Sequence, residues 1–174
     1  MTSISIRTRR RRTQTIKLGI VAVVFGIGLT SVCAQGFSVS GKCMEPNLQE
    51  GERLLSTPVP YWFSTPGRGD VVVFESPGLH SQTFVKRVIG IPNDEVRIRA
   101  GNVYVNGNKC DEPYRKNIAT GDYGPVNVEK GKLFVLGDNR DKSNDSRTWG
   151  QLPISQVKSK AVGLYWPPSS WRLL

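Results

Sequence analysis

Short apolar runs recur along the chain after residue 36, and glycine, proline or asparagine separates one run from the next. β-branched and aromatic residues are common in these runs, which is typical of strands. Five runs stand out: Arg68–Phe74, Thr83–Ile91, Asp94–Cys110, Gly131–Asn139 and Lys160–Pro167. No long amphipathic helical pattern lies between them, so the spacing predicts strands that follow one another directly.

The run Asp94–Cys110 reads as two strands that alternate between polar and apolar residues, with Ala100-Gly101 and Asn106-Gly107 as turn signals. Alternation of this kind indicates half-buried strands, and such turn pairs favour tight hairpins. The chain also holds 18 Gly and 11 Pro, which argues against a helical bundle. We therefore predict a mainly β fold, a partly closed antiparallel β domain.

The N-terminal region has a different pattern, because residues 18–34 carry no charge and an arginine-rich segment precedes them. This stretch has 17 residues, the short end of the range for a membrane-spanning helix. A permanent anchor and a cleaved signal peptide both remain open, whereas the arginines and the missing polar face disfavour a buried core helix. With an anchor, the predicted regions are a basic cytoplasmic tail (1–17), a transmembrane helix (18–34) and an extracytoplasmic β domain (35–174).

The net charge of +10 does not indicate a nucleic-acid partner. Residues 1–44 hold seven bases and no acid, which leaves 17 bases against 14 acids in the rest of the chain. The basicity is thus mostly that of an N-terminal tail, and no glycine-rich phosphate loop is present.

The chain offers neither a metal site nor a histidine-based triad. Cys33, Cys43 and Cys110 lack metal-ligand spacing, and His80 is the single histidine, in a loop-like stretch. We expect no metal and no cofactor. Cys43 and Cys110 could form a disulfide in an oxidising compartment.

Three short segments carry candidate chemistry. In "SGKCMEPNL" (Ser40–Leu48), Gly41 can supply an unusual backbone angle just before Cys43. In "VKRVIG" (Val85–Gly90), Lys86 lies in an apolar strand. A lysine there is ordinarily an edge residue that extends to water, but burial favours the neutral amine, which accepts a proton from a hydroxyl or thiol. The third segment, "LGDNRDKSNDSRTWG" (Leu136–Gly150), is dense in hydrogen-bonding groups: Asp138, Asn139, Arg140, Asp141, Ser143, Asp145, Ser146 and Arg147.

These segments, in this order after an apolar N-terminal stretch, resemble type I signal peptidases, the membrane-anchored Ser/Lys proteases that remove signal peptides from exported proteins. The resemblance runs from the apolar stretch to about Trp166. It is carried by "GKCMEPNL", "RGDVVVF", "FVKRVIGIPND", "GNVYVNG" and "LGDNRDKSNDSRTWG". The first departs from the family's Ser-Met-x-Pro-Thr-Leu core in having Cys43 for serine and Asn47 for threonine.

The resemblance implies a role for each matching position. Cys43 takes the nucleophile position, Lys86 the general base position, and Ser143 that of the serine that orients the lysine amine. The Cys43 backbone N–H forms part of the oxyanion hole, while Gly41 lacks the side-chain donor that some members add. The segment Leu136–Gly150, called the polar loop from here on, supports the site. In it, Asp145 and Arg147 match a bracing ion pair, and Asp138, Asn139 and Arg140 are further supporting residues.

The resemblance also implies the substrate, a preprotein bound as an extended strand with small side chains at the first and third positions before the cut. Five residues are predicted to line the shallow apolar pockets, although core packing is a nearly equal interpretation of them: Phe37, Val39, Met44, Phe84 and Val85. The partners expected are signal-peptide-bearing preproteins and the lipid bilayer, with no nucleic acid, and the chain is expected to be a monomer. The predicted location is the bacterial plasma membrane with the catalytic domain outside, or the thylakoid membrane.

Three other functions remain alternatives. A catalytically silenced paralogue would bind signal peptides or assist another peptidase, because Cys43 replaces the expected serine. A self-cleaving Ser/Lys repressor-type protease is disfavoured by the apolar N-terminal stretch and by the lack of a DNA-binding domain. An exported β domain without a site is disfavoured by the polar run Leu136–Gly150.

Overall fold

The computed structural model describes residues 34–75, 82–117 and 121–174. The predicted tail 1–17 and all but the last residue of the predicted anchor 18–34 lie outside these ranges, as do Cys33 and His80. In the described part of the chain, no helix is long and apolar enough to cross a membrane.

Twelve strands, with short helical turns between some of them, form the framework of the described residues. In chain order they are β1 (Gln35–Ser38), β2 (Arg53–Thr57), β3 (Val71–Glu75), β4 (Thr83–Gly90), β5 (Glu95–Arg99), β6 (Asn102–Val105), β7 (Asn108–Lys109), β8 (Tyr123–Asn127), β9 (Lys132–Leu136), β10 (Leu152–Pro153), β11 (Val157–Trp166) and β12 (Arg172–Leu173). One-turn α-helices cover Pro60–Phe63 and Ser146–Trp149, and 3-10 turns cover Arg140–Lys142, Ile154–Gln156 and Pro168–Ser170.

The strands form two sheets. Eight belong to one sheet with the order β1-β2-β11-β3-β4-β9-β10, in which β12 also pairs with β11. The other four form a sheet with the order β7-β6-β5-β8. The central pairs of the large sheet, β11 with β3, β3 with β4, and β4 with β9, are all antiparallel. The mainly β, antiparallel class predicted from the sequence is therefore confirmed.

Both turn signals of the run Asp94–Cys110 are turns in the smaller sheet, but they separate three strands where the sequence predicted two. Ala100 and Gly101 have φ values of 47° and 74°, and Asn106 and Gly107 have φ values of 51° and 79°. Two consecutive residues in the left-handed region match the right-handed twist of a hairpin. The run Asp94–Cys110 consequently folds into β5, β6 and β7, each paired antiparallel with the next.

Apolar side chains on the large sheet anchor the segment that carries Cys43. Met44 and Leu48 are 1% and 0% exposed, and they pack with Leu54, Val71 and other buried residues in one hydrophobic cluster. Apolar burial of this kind is the main stabilising term in folding. The loop after β1 is therefore held against the large sheet by buried residues that follow Cys43.

Candidate active site

A cleft of about 260 Å³ lies between the loop after β1 and strand β4, with part of the polar loop at its rim. Cys43 and Lys86 both line it. Its full lining is Ser38, Val39, Ser40, Gly41, Lys42, Cys43, Met44, Thr83, Phe84, Val85, Lys86, Lys142 and Asn144. The three segments that the sequence singled out thus meet at one cleft.

Cys43 and Lys86 converge on the same backbone carbonyl, that of Val85. The Cys43 Sγ lies 3.9 Å from the Val85 oxygen, and the Lys86 Nζ donates to this oxygen at 3.2 Å. The thiol and the amine are therefore separated by no more than these two distances combined.

Lys86 is buried, with an exposed fraction of only 3%. Its strand β4 lies between β3 and β9, and Lys86 pairs with Val72 across the sheet. The amine also lies 5.3 Å from the centre of the Phe84 ring. Lys86 is thus not an edge residue that extends into water, but a buried residue of a central strand.

The polar loop binds the backbone on both sides of the Lys42–Cys43 peptide bond. The backbone N–H of Asn139 donates to the Cys43 carbonyl at 3.0 Å, and its side-chain amide donates to the Lys42 carbonyl at 2.9 Å. In a trans peptide the C=O and N–H groups point to opposite sides. Because Asn139 holds the Lys42 carbonyl, the Cys43 N–H points away from Asn139, and it has no acceptor among the described residues.

Gly137 allows the polar loop to approach the Cys43 backbone this closely. A Cβ atom at Gly137 would lie 2.2 Å from the Ser143 Oγ and 2.6 Å from the Cys43 carbonyl oxygen, both well inside van der Waals contact. The Ser143 hydroxyl is itself buried and has no hydrogen-bond partner in the part of the chain that the structure describes. The hydrogen bond from Ser143 to the lysine amine, which the resemblance implies, is therefore not formed here.

The ion pair predicted for the polar loop is present. Arg147 donates to both oxygens of Asp145, from Nε at 2.8 Å and from Nη2 at 2.9 Å. The Asp145 side chain is fully buried and also accepts from the Gly137 N–H at 3.1 Å. Asp145 therefore ties the α-helical turn Ser146–Trp149 to the glycine that contacts the site.

Two further buried carboxylates hold the same loop. Asp138 accepts from Arg87 Nε at 2.9 Å and from Arg87 Nη2 at 2.8 Å, and Arg140 pairs with Glu112 at 2.5 Å. The Arg140 and Glu112 side chains are 0% and 3% exposed. The sequence analysis did not include Glu112, because nothing in its local sequence marks it as the partner of a residue 28 positions later.

Gly41 and Asn47, on either side of Cys43, have clear structural settings. Gly41 has a φ of 84°, as its position before Cys43 predicted. Asn47, where the family has threonine, donates to the Tyr114 carbonyl at 2.6 Å and to Asp138 Oδ2 at 2.8 Å. The Asn47 side chain therefore links the loop of Cys43 to the polar loop.

Four of the five predicted pocket residues line the cleft: Val39, Met44, Phe84 and Val85. Phe37 is the exception, because it packs against the hydrophobic cluster beside Cys43 instead. The sequence analysis missed Lys42, Lys142 and Asn144. Their one sequence signal is that each is adjacent to Cys43 or Ser143.

Cys43 and Cys110 are both free thiols, and they pack against different hydrophobic clusters. Burial, together with the nearby Glu112 carboxylate, raises the pKa of Cys110. A higher pKa leaves less of the reactive thiolate. Cys110 is therefore poorly suited to act as a nucleophile. Cys43, by contrast, lies in the cleft. No cluster of metal-binding side chains occurs in the described residues.

Comparison with known proteins decides the family. Residues 12–166 match the family described as "Signal peptidase, peptidase S26". The chain belongs to this signal peptidase family. A probable signal peptidase I-2 of Synechocystis is 39% identical to this signal peptidase over 157 residues, which covers 87% of the chain and 72% of the relative. The thylakoidal processing peptidase 1 of Arabidopsis thaliana is 34% identical over 163 residues, covering 88% of the chain and 48% of that protein.

A solved structure supports the fold of this signal peptidase. The crystal structure of a signal peptidase I from Enterococcus faecalis V583 has 31% sequence identity and a TM-score of 0.50. The match covers 56% of this chain and 97% of that one. Family membership and fold thus agree with the resemblance carried by the three segments.

Proposed function

We propose that this chain is a membrane-bound endopeptidase that removes N-terminal signal peptides from exported preproteins, with Cys43 as nucleophile and Lys86 as general base. The observation that carries the proposal is the convergence of the thiol and the buried amine on the Val85 carbonyl oxygen, in a cleft of a signal peptidase. A thiol ionises more readily than a serine hydroxyl, so the same base can activate it.

The first half-reaction forms a thioester. The Cys43 proton passes to the Lys86 amine as Sγ bonds to the carbonyl carbon, and the carbonyl electron pair moves onto oxygen. The Cys43 N–H, which Asn139 directs away from the polar loop, donates to that oxyanion. The intermediate then collapses, and the leaving amine takes the proton from Lys86.

The second half-reaction returns the free thiol. Lys86 takes a proton from water, the water oxygen attacks the thioester carbon, and Sγ leaves and is reprotonated. In this proposal Ser143 orients the amine once a hydrogen bond forms between them, and its buried hydroxyl has no other partner among the described residues to give up. Small side chains before the cut occupy the part of the cleft lined by Val39, Met44, Phe84 and Val85.

The membrane attachment rests on the uncharged residues 18–34 and on the names of the relatives, which include a thylakoidal enzyme. With an anchor there, the catalytic domain lies on the outer face of a plasma or thylakoid membrane. Protease added to that face should digest residues after Ala34 and spare the N-terminus. Recovery of a soluble protein that begins near Gln35 would instead identify a cleaved signal peptide.

Incubation with a preprotein under reducing conditions tests the chemistry. The parent protein should cleave slowly, because sulfur in a site shaped for oxygen is imperfectly placed. Iodoacetamide, Cys43→Ala and Lys86→Met should each abolish cleavage, and Cys43→Ser should retain or raise it. An inactive parent beside an active Cys43→Ser variant would show a silenced peptidase and contradict the proposal. Cleavage by Lys86→Met at the parental rate would refute the Cys43–Lys86 dyad.

A further inference from the structure

The charged residues that line the cleft are all lysines: Lys42, Lys86 and Lys142. Lys86 is buried, whereas Lys42 and Lys142 are exposed at the surface. No aspartate or glutamate belongs to the lining. The lining itself therefore carries only positive charge, although Glu45 and Glu50 lie outside it near Lys42 and Gly41.

The two exposed lysines have no carboxylate partner among the described residues, in contrast to several other lysines of the same domain. Lys116, Lys132, Lys158 and Lys160 each form an ion pair within 2.8 Å. The acidic residue nearest to Lys42 in sequence, Glu45, is held by Lys116 at 2.7 Å. The ammonium groups of Lys42 and Lys142 are thus free to bind a negative group brought by another molecule.

We propose that Lys42 and Lys142 form a cationic rim that selects preproteins carrying an aspartate or glutamate shortly after the cut. This inference rests on the proposed function and names a feature of its substrates. Small side chains before the cut occupy the apolar part of the cleft, around Met44 and Phe84. The cationic rim is then left for the residues that follow the cut.

The position of the rim agrees with this assignment. Lys42 precedes the proposed nucleophile by one residue, and Lys142 precedes Ser143 by one residue, so both backbones are fixed by the contacts that assemble the site. An acidic side chain within a few residues of the cut lies within reach of both flexible lysine side chains. Exposed ion pairs typically change affinity by no more than about fivefold each, and salt weakens them.

Three peptides that differ only at the second position after the cut test the proposal, with aspartate, asparagine or lysine there. For the full-length parent at low salt, KM should be roughly two- to fivefold lower for the aspartate peptide than for the asparagine peptide. The lysine peptide should have the highest KM, and 0.5 M NaCl should remove most of the differences. Equal KM values for the aspartate and asparagine peptides would overturn the proposal.

Matched variants locate the effect. In Lys42→Gln/Lys142→Gln the preference for aspartate should disappear, and in Lys42→Arg/Lys142→Arg it should remain, since arginine keeps the charge. Lys109→Gln is the control, because Lys109 is an exposed lysine on β7 of the smaller sheet. A preference that survives the double glutamine variant, or falls equally in Lys109→Gln, would refute the rim.

Binding separates this inference from the proposed function. Labelled forms of the same peptides are titrated into the full-length Cys43→Ala variant, and fluorescence anisotropy gives Kd without any cleavage. The ratio of Kd values for the aspartate and asparagine peptides should match the ratio of KM values and should be lost in the double glutamine background. An inactive parent would then contradict the chemistry alone, while a Kd ratio of one would contradict the rim alone.

Discussion

Removing the Asp145 carboxylate should destabilise the folded domain strongly, because its side chain is fully buried and has several donors. Asp145→Ala deletes two bonds from the Arg147 guanidinium, at 2.8 and 2.9 Å, one from the Arg147 backbone N–H at 3.2 Å, and one from the Gly137 N–H at 3.1 Å. Breaking a buried pair by removing one partner costs roughly 3–5 kcal/mol. The Arg147 side chain is 18% exposed, so water reaches it in the variant and the expected cost is about 3 kcal/mol.

An exposed pair of similar length supplies the control. Lys132 and Glu129 lie 2.7 Å apart with side chains 37% and 62% exposed, so Glu129→Ala should cost at most about 1 kcal/mol. Urea denaturation of the full chain, followed by circular dichroism, gives both values by linear extrapolation, provided that the m-value is unchanged. For a chain of this size, the loss in Asp145→Ala corresponds to a melting temperature lower by about 6–12 °C. Equal destabilisation in the two variants would show that burial does not determine the strength of these pairs here.

Three more predictions concern Gly137, Asn139 and Asp94. Gly137→Ala should abolish preprotein cleavage, because its methyl group would overlap Ser143; a parental rate would show that the loop can move aside without cost. Asn139→Ala should lower kcat by about 100-fold with little change in KM, since the Lys42–Cys43 peptide loses its orientation; steady-state kinetics that show only a KM effect would contradict this. Burial alone would raise the pKa of Asp94, but bonds from Arg68 and neighbouring N–H groups lower it below its usual value. The stability that this shift provides is present above about pH 4 and is lost as the pH falls through the lowered pKa. Asp94→Asn should therefore flatten the acid side of a stability–pH curve. An unchanged curve would contradict this expectation.

The strands that the sequence predicted are those whose residues alone specify the conformation. β3 and β4 are central strands with apolar, β-branched residues, and the turns after β5 and β6 have residues suited to positive φ. The sequence analysis missed five strands that lack these local signals: β1, β2, β8 and the two-residue strands β10 and β12. β8 contains Gly124 and Pro125, and it lies at the edge of the smaller sheet, where pairing with β5 holds it in place.

The site could be predicted only in part, for a related reason. Residue types identified Cys43 and Lys86, and family resemblance added Ser143, but no pattern in the sequence gives the shared Val85 carbonyl or the two Asn139 bonds. These depend on distances between segments that are far apart along the chain. The same holds for Glu112, whose importance lies entirely in the buried partner it reaches.

The bond between the Asn139 side chain and the Lys42 carbonyl joins residues 97 positions apart in the chain. Contacts of this sequence separation form only after the intervening strands have paired, because loop closure costs entropy before it is rewarded. A chain still being synthesised, or one that has not finished folding, therefore has the thiol and the amine but no oriented peptide between them. The hydrolytic activity proposed here would begin only with the completed domain, so that an unfinished molecule has no means of cutting itself or its neighbours.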